Sequence, residues 1–564
     1  MKLLGLAVST YLLLQTPAVT PTAQLGVKST IEGVVVRADS NEPIAGARVS
    51  VLTAGGPAAP LPFANSGTRS ATTDKDGKFT LKDLEAGQYR VVAARNGYAR
   101  QEYGQRAVSR PGIVLNVLAG QSVRNVVISL QPAGLVTGRV TNDAGDPLVG
   151  IDVTLLRSVY NPVDGRSFNP FAAARTNDLG EYRLYWVTPG RYYLGASSSR
   201  LSTGRVPNGN EVLDDVYGTM YYPGTPDASA AAVIEVRPGS ELSGIDFRMR
   251  VQQTYHVRGR LIDRRTGQSP RNATVLIILR QFNGVFGPNG IGPSYNGATG
   301  TFDLANVAPG SYWVRAMASD DPGAPIYARN VAQVEVDVSV ADIENLVVTL
   351  LPGSPIAGRV QVEGKAALGE LENYDKLRIV LSPLGPGVTA FFPQQPSSRK
   401  QDGSFTVENV PSGEYRILVV GMPPDYYIKE ARLGANDITQ NGFSMTGPLS
   451  ERLEILLSPN GGQIEGDIVD EHGDPVRGIQ PVLVPDRDRD RRELFKVATT
   501  DQNGHFTMKG IPPGLYRVFA WEELEQFAYF DPEILRRYEA QAKTVTISES
   551  SKSAVQVKVI PAGQ

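Results

Sequence analysis

The sequence predicts an all-β chain, a tandem array of five β-sandwich domains, and three observations carry that prediction. One motif recurs five times, turn-forming residues are abundant, and apolar residues alternate with polar ones beside each turn. A length of 564 residues exceeds one hydrophobic core and suits domains of roughly 100–150 residues. The 58 glycines and 40 prolines supply turns throughout a composition that is 41% hydrophobic, and many turns in a folded chain mean many short strands.

The motif is an aromatic residue followed ten positions later by a tyrosine, with glycine two positions before that tyrosine. It comprises Phe79, Gly87 and Tyr89; Tyr182, Gly190 and Tyr192; Phe302, Gly310 and Tyr312; Phe405, Gly413 and Tyr415; and Phe506, Gly514 and Tyr516. Successive tyrosines lie 103, 120, 103 and 101 residues apart, which sets the domain period. The aromatic and the tyrosine each begin an alternating stretch, so both face a core in a period-two strand. The intervening turns contain Ala86-Gly87, Pro189-Gly190, Pro309-Gly310, Ser412-Gly413 and Pro513-Gly514, and Pro-Gly suits the middle of a type II turn with glycine at positive φ.

Each repeat opens on a strand with an internal glycine: Ile31-Glu32-Gly33-Val34-Val35, then the stretches around Gly138, Gly259, Gly358 and Gly466. Glycine weakens a strand, so its return at this place predicts a bulge or a close approach of backbones. A partner strand follows through Pro43-Ile44-Ala45-Gly46-Ala47, Pro147 to Ile151 and Pro475 to Ile479; the third repeat degrades this element and the fourth replaces it with Tyr374-Asp375-Lys376-Leu377. Closing strands run through Val123–Ile128, Gly244–Phe247, Ile343–Val348, Leu453–Leu457 and Val555–Val559. The expected domains are 26–133, 134–252 with an aromatic-rich insertion, 253–353, 354–460, and 461–564 with a short helix over Pro532–Ala540. Asp531 would cap that helix and Pro532 would occupy its first turn. The joints are short and contain proline, which favours a semi-rigid rod.

Residues 1–23 read as a signal peptide: Lys2 precedes an apolar run too short to span a bilayer, and Ala18 or Ala23 marks the cleavage region. No second apolar stretch is long enough to cross a membrane, so no transmembrane segment is expected in the mature chain; the signal peptide predicts export, to the periplasm, the outer-membrane surface or the exterior. Net charge is −2 with no basic block, which argues against a nucleic-acid partner. Cysteine is absent, excluding thiol nucleophiles, thiolate metal sites and disulfide staples.

The segments Ile31–Val35, Pro43–Val49, Thr73–Phe79 and Gly87–Val91, in that order, resemble the carboxypeptidase regulatory-like domain. That resemblance covers nearly the whole chain after the export signal and extends to long bacterial proteins built of such repeats. It implies a transthyretin-like, immunoglobulin-like sandwich, similar also to collagen-binding B-type and starch-binding-like folds, and it names no ligand. Collagen-adhesin-like domains can carry a lysine–asparagine crosslink, but no lysine lies between Lys82 and Lys365, so the second and third repeats lack the necessary residue.

The three histidines, His256, His472 and His505, fall in different parts of the repeat, without zinc-ligand spacing, and no Gly-x-Ser-x-Gly elbow occurs. No catalytic, cofactor or metal residue is assigned. Asp74-Lys75-Asp76-Gly77 could begin a calcium loop, yet no glutamate closes it, and an Asx turn is the favoured reading. The aromatic insertion offers a ligand platform of Tyr160, Tyr217, Tyr221 and Tyr222, with Phe168 and Phe171 nearby. Exposed tyrosines could stack on sugar rings or meet a protein; burial of all four would instead favour a spacer. The acidic-aromatic stretch Trp521–Phe530 is expected to cover an end of the last domain. Together these features predict a noncatalytic extracytoplasmic binding or adhesion protein with a glycan or an envelope protein as partner. The alternatives are a structural spacer of the cell envelope and, more remotely, an exported enzyme of unspecified type.

Overall fold

The computed structural model describes residues 28–53, 69–105, 111–161, 165–198, 217–280, 295–319, 321, 323, 329–371, 374–384 and 397–562. The signal segment 1–23 lies outside them, as do Asp214 and Asp215 of the insertion.

Among the described residues nearly all regular structure is β, in ten sheets that fall into five consecutive pairs, with strands between residues 29–130, 134–248, 255–350, 354–458 and 462–558. In each pair one sheet centres on the glycine-bearing opening strand. That strand lies antiparallel to the strand of the repeat aromatic and parallel to the closing strand, as Ser29–Arg37 does with Lys78–Leu84 and Ser122–Leu130. The other sheet pairs the Gly-x-Tyr strand antiparallel with the partner strand, as Gly87–Ala94 does with Arg48–Thr53. The parallel pairing requires the chain to cross between the sheets before it closes, and this makes two layers of each repeat. One hydrophobic cluster fills each pair.

All ten residues of the aromatic–tyrosine motif are buried. The recurrent strand glycine has a steric cause. A Cβ on Gly33 would sit 2.0 Å from the Val126 carbonyl oxygen and 2.8 Å from the Phe79 ring, and one on Gly259 would sit 2.0 Å from the Leu346 oxygen and 2.6 Å from Phe302. In every repeat the glycine is the direct cross-strand partner of the motif aromatic, whose ring covers the bare backbone.

The Gly-x-Tyr turn differs from the type II expectation. Gly190 and Gly310 have φ of 159° and 158°, close to extended backbone, and the other three lie outside the positive-φ set. The tyrosine two positions on folds its ring back over the glycine, 3.2–3.6 Å from where a Cβ would stand, an approach tighter than ordinary contact at Gly310 and Gly514. Left-handed backbone occurs instead four residues after each motif aromatic, at Asp83, Trp186, Asn306, Asn409 and Gly510, with φ of 59°, 55°, 60°, 53° and 62°. There the register against the opening strand slips, forming a bulge in all five repeats.

The fifth sheet pair carries a second cluster on its outer face. Phe495, Phe519 and Trp521 pack with Leu535 of the helix Pro532–Tyr538, whose cap Asp531 accepts the Glu533 amide. The stretch predicted to cover an end thus covers a sheet face.

The chain also departs from a rod. The Tyr160 amide donates to the Gln526 carbonyl at 3.1 Å, bringing the second and fifth pairs together. The fourth and fifth are joined by Arg416 with Asp490 at 2.8 Å and by Lys429 and Tyr427, both 3.0 Å from Glu549. Short linkers restrict neighbours only; contacts between distant repeats fold the array back.

Candidate binding site

The fold-back forms a partly open cavity of about 540 Å³ lined by the first, second and fifth sheet pairs. Strand Gly87–Ala94 and the short strand Gln101–Glu102 form one wall. The hairpin Ile151–Asn161 and Gly165–Arg175 forms the second; its eleven-residue strands outreach the six-residue Arg48–Thr53, so Arg157 and Phe171 extend toward the fifth pair. The third wall is Trp521 with the segment from Leu524 to Tyr529.

The polar groups of the lining are held in place largely by one another. The Arg157 guanidinium lies 3.9 Å from the Phe171 ring centre and donates to the Tyr192 hydroxyl at 2.9 Å. Burial raises the Tyr192 phenol, with Arg157 pulling the other way, so the phenol stays protonated and donates onward to the Thr188 carbonyl at 2.6 Å. Arg90 lies 3.4 Å from Glu102, which also accepts the Gly112 amide at 2.7 Å. Aromatic faces, guanidinium donors and carboxylate acceptors around one cavity suit a ligand with an apolar face and a hydroxylated edge.

The four platform tyrosines do not share an exposed face. Tyr217 and Tyr221 are 5% and 4% exposed. Tyr217 belongs to the second core, and Tyr221 packs with Leu156 and Phe168. Tyr222 is half-buried and meets Phe247 edge-on, with centroids 6.3 Å apart. Tyr160, also half-buried, lies where the second and fifth pairs touch. Of the aromatics in this region, Phe171 reaches the cavity. Arg90, Glu102 and Arg157 had no sequence signal, because they come from repeats whose proximity no local pattern encodes.

Asp74 is an Asx turn: its Oδ1 accepts the amides of Asp76 and Lys78 at 2.9 and 2.8 Å. Asp501 and Asn177 do the same for the equivalent turns. Among the described residues no group of three or more His, Asp or Glu side chains could hold a metal. His256 pairs with Asp303 at 2.6 Å and His505 with Asp467 at 2.9 Å, on different sheet pairs and away from the cavity lining. No helix among the described residues is long and apolar enough to cross a membrane.

Residues 30–131 match the family model for the carboxypeptidase regulatory-like domain. The matched segment is the first sheet pair, whose central strand order recurs in the other four. Among curated proteins the chain is similar to serine-aspartate repeat-containing protein D of Staphylococcus aureus strain Newman, 28% identical over 130 residues, which is 21% of this chain and 10% of that protein. The form from strain MW2 gives the same values. The match therefore spans about a tenth of these curated relatives. Solved structures with some likeness include the Bacillus anthracis TIE protein, at TM-score 0.16 and 15% identity over 58% of this chain and 51% of that one. A minor pilin of Streptococcus agalactiae gives 0.22 and 13% over 40% and 97%. At these scores the likeness carries no argument about arrangement or activity.

Proposed function

We propose that the chain is a noncatalytic, exported, surface-associated binding protein. In this reading five transthyretin-like sandwiches, over 26–133, 134–252, 253–353, 354–460 and 461–564, pack into one body. The cavity between the first, second and fifth is its ligand site, and the ligand is a saccharide unit of a glycan. The observation that carries the reading is the cavity itself, where Phe171 and Phe527 offer apolar faces beside Arg90, Arg157 and Glu102. Its polar lining is already engaged in structural hydrogen bonds and lacks a histidine, which suits recognition rather than group transfer.

The test is a glycan and envelope-protein binding screen with the full exported chain, the wild type against Arg157→Ala and Phe171→Ala. Saccharide binding that falls about tenfold or more in both variants supports the assignment. Saccharide binding unchanged in both removes the cavity from it.

A second reading, a spacer of the cell envelope, is favoured by the burial of Tyr217 and Tyr221. It predicts no ligand in the same screen, together with a rigid solution shape.

A further inference from the structure

The bulge after the motif aromatic places two residues at corresponding positions in every repeat: Lys82-Asp83, Tyr185-Trp186, Ala305-Asn306, Glu408-Asn409 and Lys509-Gly510. The second of each is left-handed, and four repeats fill it with Asp, Asn or Gly, which accept that backbone most readily. The second repeat places tryptophan there, at φ 55°. A bulky side chain at positive φ is an outlier, and such strain collects at functional sites, where the surrounding structure holds it.

Neither ring gains burial in return. Tyr185 is 62% exposed and Trp186 54% exposed, and they meet edge to face with centroids 5.1 Å apart and planes at 87°. In the fourth repeat the same position is used structurally: the Asn409 side chain accepts the Gly353 amide at 3.0 Å and donates to the Arg329 carbonyl at 2.9 Å. Trp186 leaves that role for an exposed corner of two rings.

We infer that Tyr185 and Trp186 form a second recognition site, distinct from the cavity, for the ring of a neutral saccharide in an extended glycan. Two perpendicular rings supply a floor and a wall for the apolar face of a pyranose. Along the same exposed strand face stand Glu181 and Arg183, opposite Arg139 and Thr137 of the opening strand, and Asp246 accepts the Arg139 amide at 2.8 Å. Two acids and two bases balance, so the surface offers donors and acceptors to hydroxyl groups without net attraction for a polyanion or an acidic peptide. The inference rests on the reading of the chain as a glycan-binding surface protein, and places a separate contact outside the cavity.

The test compares the full chain with Tyr185→Ala/Trp186→Asn, which restores the residue types of the third repeat. The probes are dextran, a β-glucan and a mannan, with an acidic polysaccharide as control. Trp186 is the exposed tryptophan, whereas Trp521 is buried in the cavity wall and Trp313 is half-buried beneath Arg280, so an emission change kept in Arg157→Ala and lost in the double variant is assigned to the Trp186 ring. The expected result is binding of at least one neutral polymer with a change in tryptophan emission, a loss of about tenfold or more in the double variant, and a higher midpoint of thermal unfolding in that variant. Equal binding by wild type and double variant, with loss only in Arg157→Ala, overturns this site and leaves the cavity reading intact. Preference for the acidic polymer or for a protein overturns the neutral-saccharide assignment, and a double variant that binds less because it unfolds earlier overturns the strain argument.

Discussion

The Tyr415 hydroxyl donates to the carbonyl oxygen of Pro411, four residues before it, at 2.8 Å. Tyr89, Tyr192, Tyr312 and Tyr516 make the same bond to Glu85, Thr188, Ala308 and Pro512 at 3.0, 2.6, 2.9 and 3.0 Å. The tyrosine therefore staples the turn that leads into its own strand, and glycine two positions before it lets the ring lie down. Phenylalanine in place of Tyr415 keeps the packing and strands the carbonyl. The expected cost is about 1–2 kcal/mol in the fourth repeat, seen as one earlier transition in calorimetry while the others hold.

Gly358 tests the backbone approach. Its Cβ would stand 2.4 Å from the Leu453 oxygen and 2.3 Å from the Phe405 ring. Neither the closing strand nor the buried ring can retreat without opening the core, so Gly358→Ala should destabilise the fourth repeat by about 3 kcal/mol or more, as overpacking does. Hydrogen exchange should show lost protection along Ser354–Val362 and Leu453–Ser458. Retained protection in both strands contradicts the steric account.

Alkaline pH should weaken the cores. Burial pushes the phenols of Tyr312 and Tyr415 up to about 12 from 10.0. Between those values the unfolded chain releases protons that the folded chain keeps, so stability is whole below pH 10 and is lost as pH rises toward 12. Each tyrosine should withdraw roughly 2 kcal/mol by pH 12. Denaturant midpoints measured across that window should fall, and Tyr415→Phe should flatten the fall for the fourth repeat.

The joint of the fourth and fifth repeats should respond to charge. The Arg416 side chain is 11% exposed and reaches Asp490 at 2.8 Å, which holds that carboxylate below its usual range. Asp490→Lys leaves a largely buried guanidinium beside a second cation. Small-angle scattering should then report a larger radius of gyration, and limited proteolysis a new cut near residues 458–462, with the sandwiches themselves intact.

The repeat was legible because its causes are local. Gly33 and Phe79 oppose each other in one ladder, and Gly87 and Tyr89 share one turn, so spacing alone reveals them. What each glycine does was harder to read: Gly190 was expected at positive φ, whereas Trp186 holds that conformation at the bulge. Comparing repeats position by position exposes Trp186, since Asn, Asp and Gly stand at its counterparts. The cavity was illegible, because Arg157 shares it with residues of the fifth repeat more than 300 positions along the chain, and that proximity leaves no periodic trace. The tyrosines of the insertion misled for a related reason: composition marks an aromatic segment, and only packing decides that Tyr217 and Tyr221 turn inward.

In each repeat the first and last strands of one sheet lie side by side and point the same way, so the chain enters at one end of the sheet and leaves at the other. Tension between a cell surface and a bound object would load that ladder lengthwise, with all its hydrogen bonds resisting in shear rather than peeling one by one. The second repeat carries the least regular version of that ladder: its closing strands are the short Glu241–Leu242 and Phe247–Arg248, linked through single bonds from the Ile245 and Met249 amides to the Thr137 and Thr141 carbonyls, against the continuous run from Lys552 to Lys558 in the fifth. Under a steadily increasing pull, once the docked repeats have parted, the one carrying Trp186 should yield first and lengthen the tether while the other four still bear load.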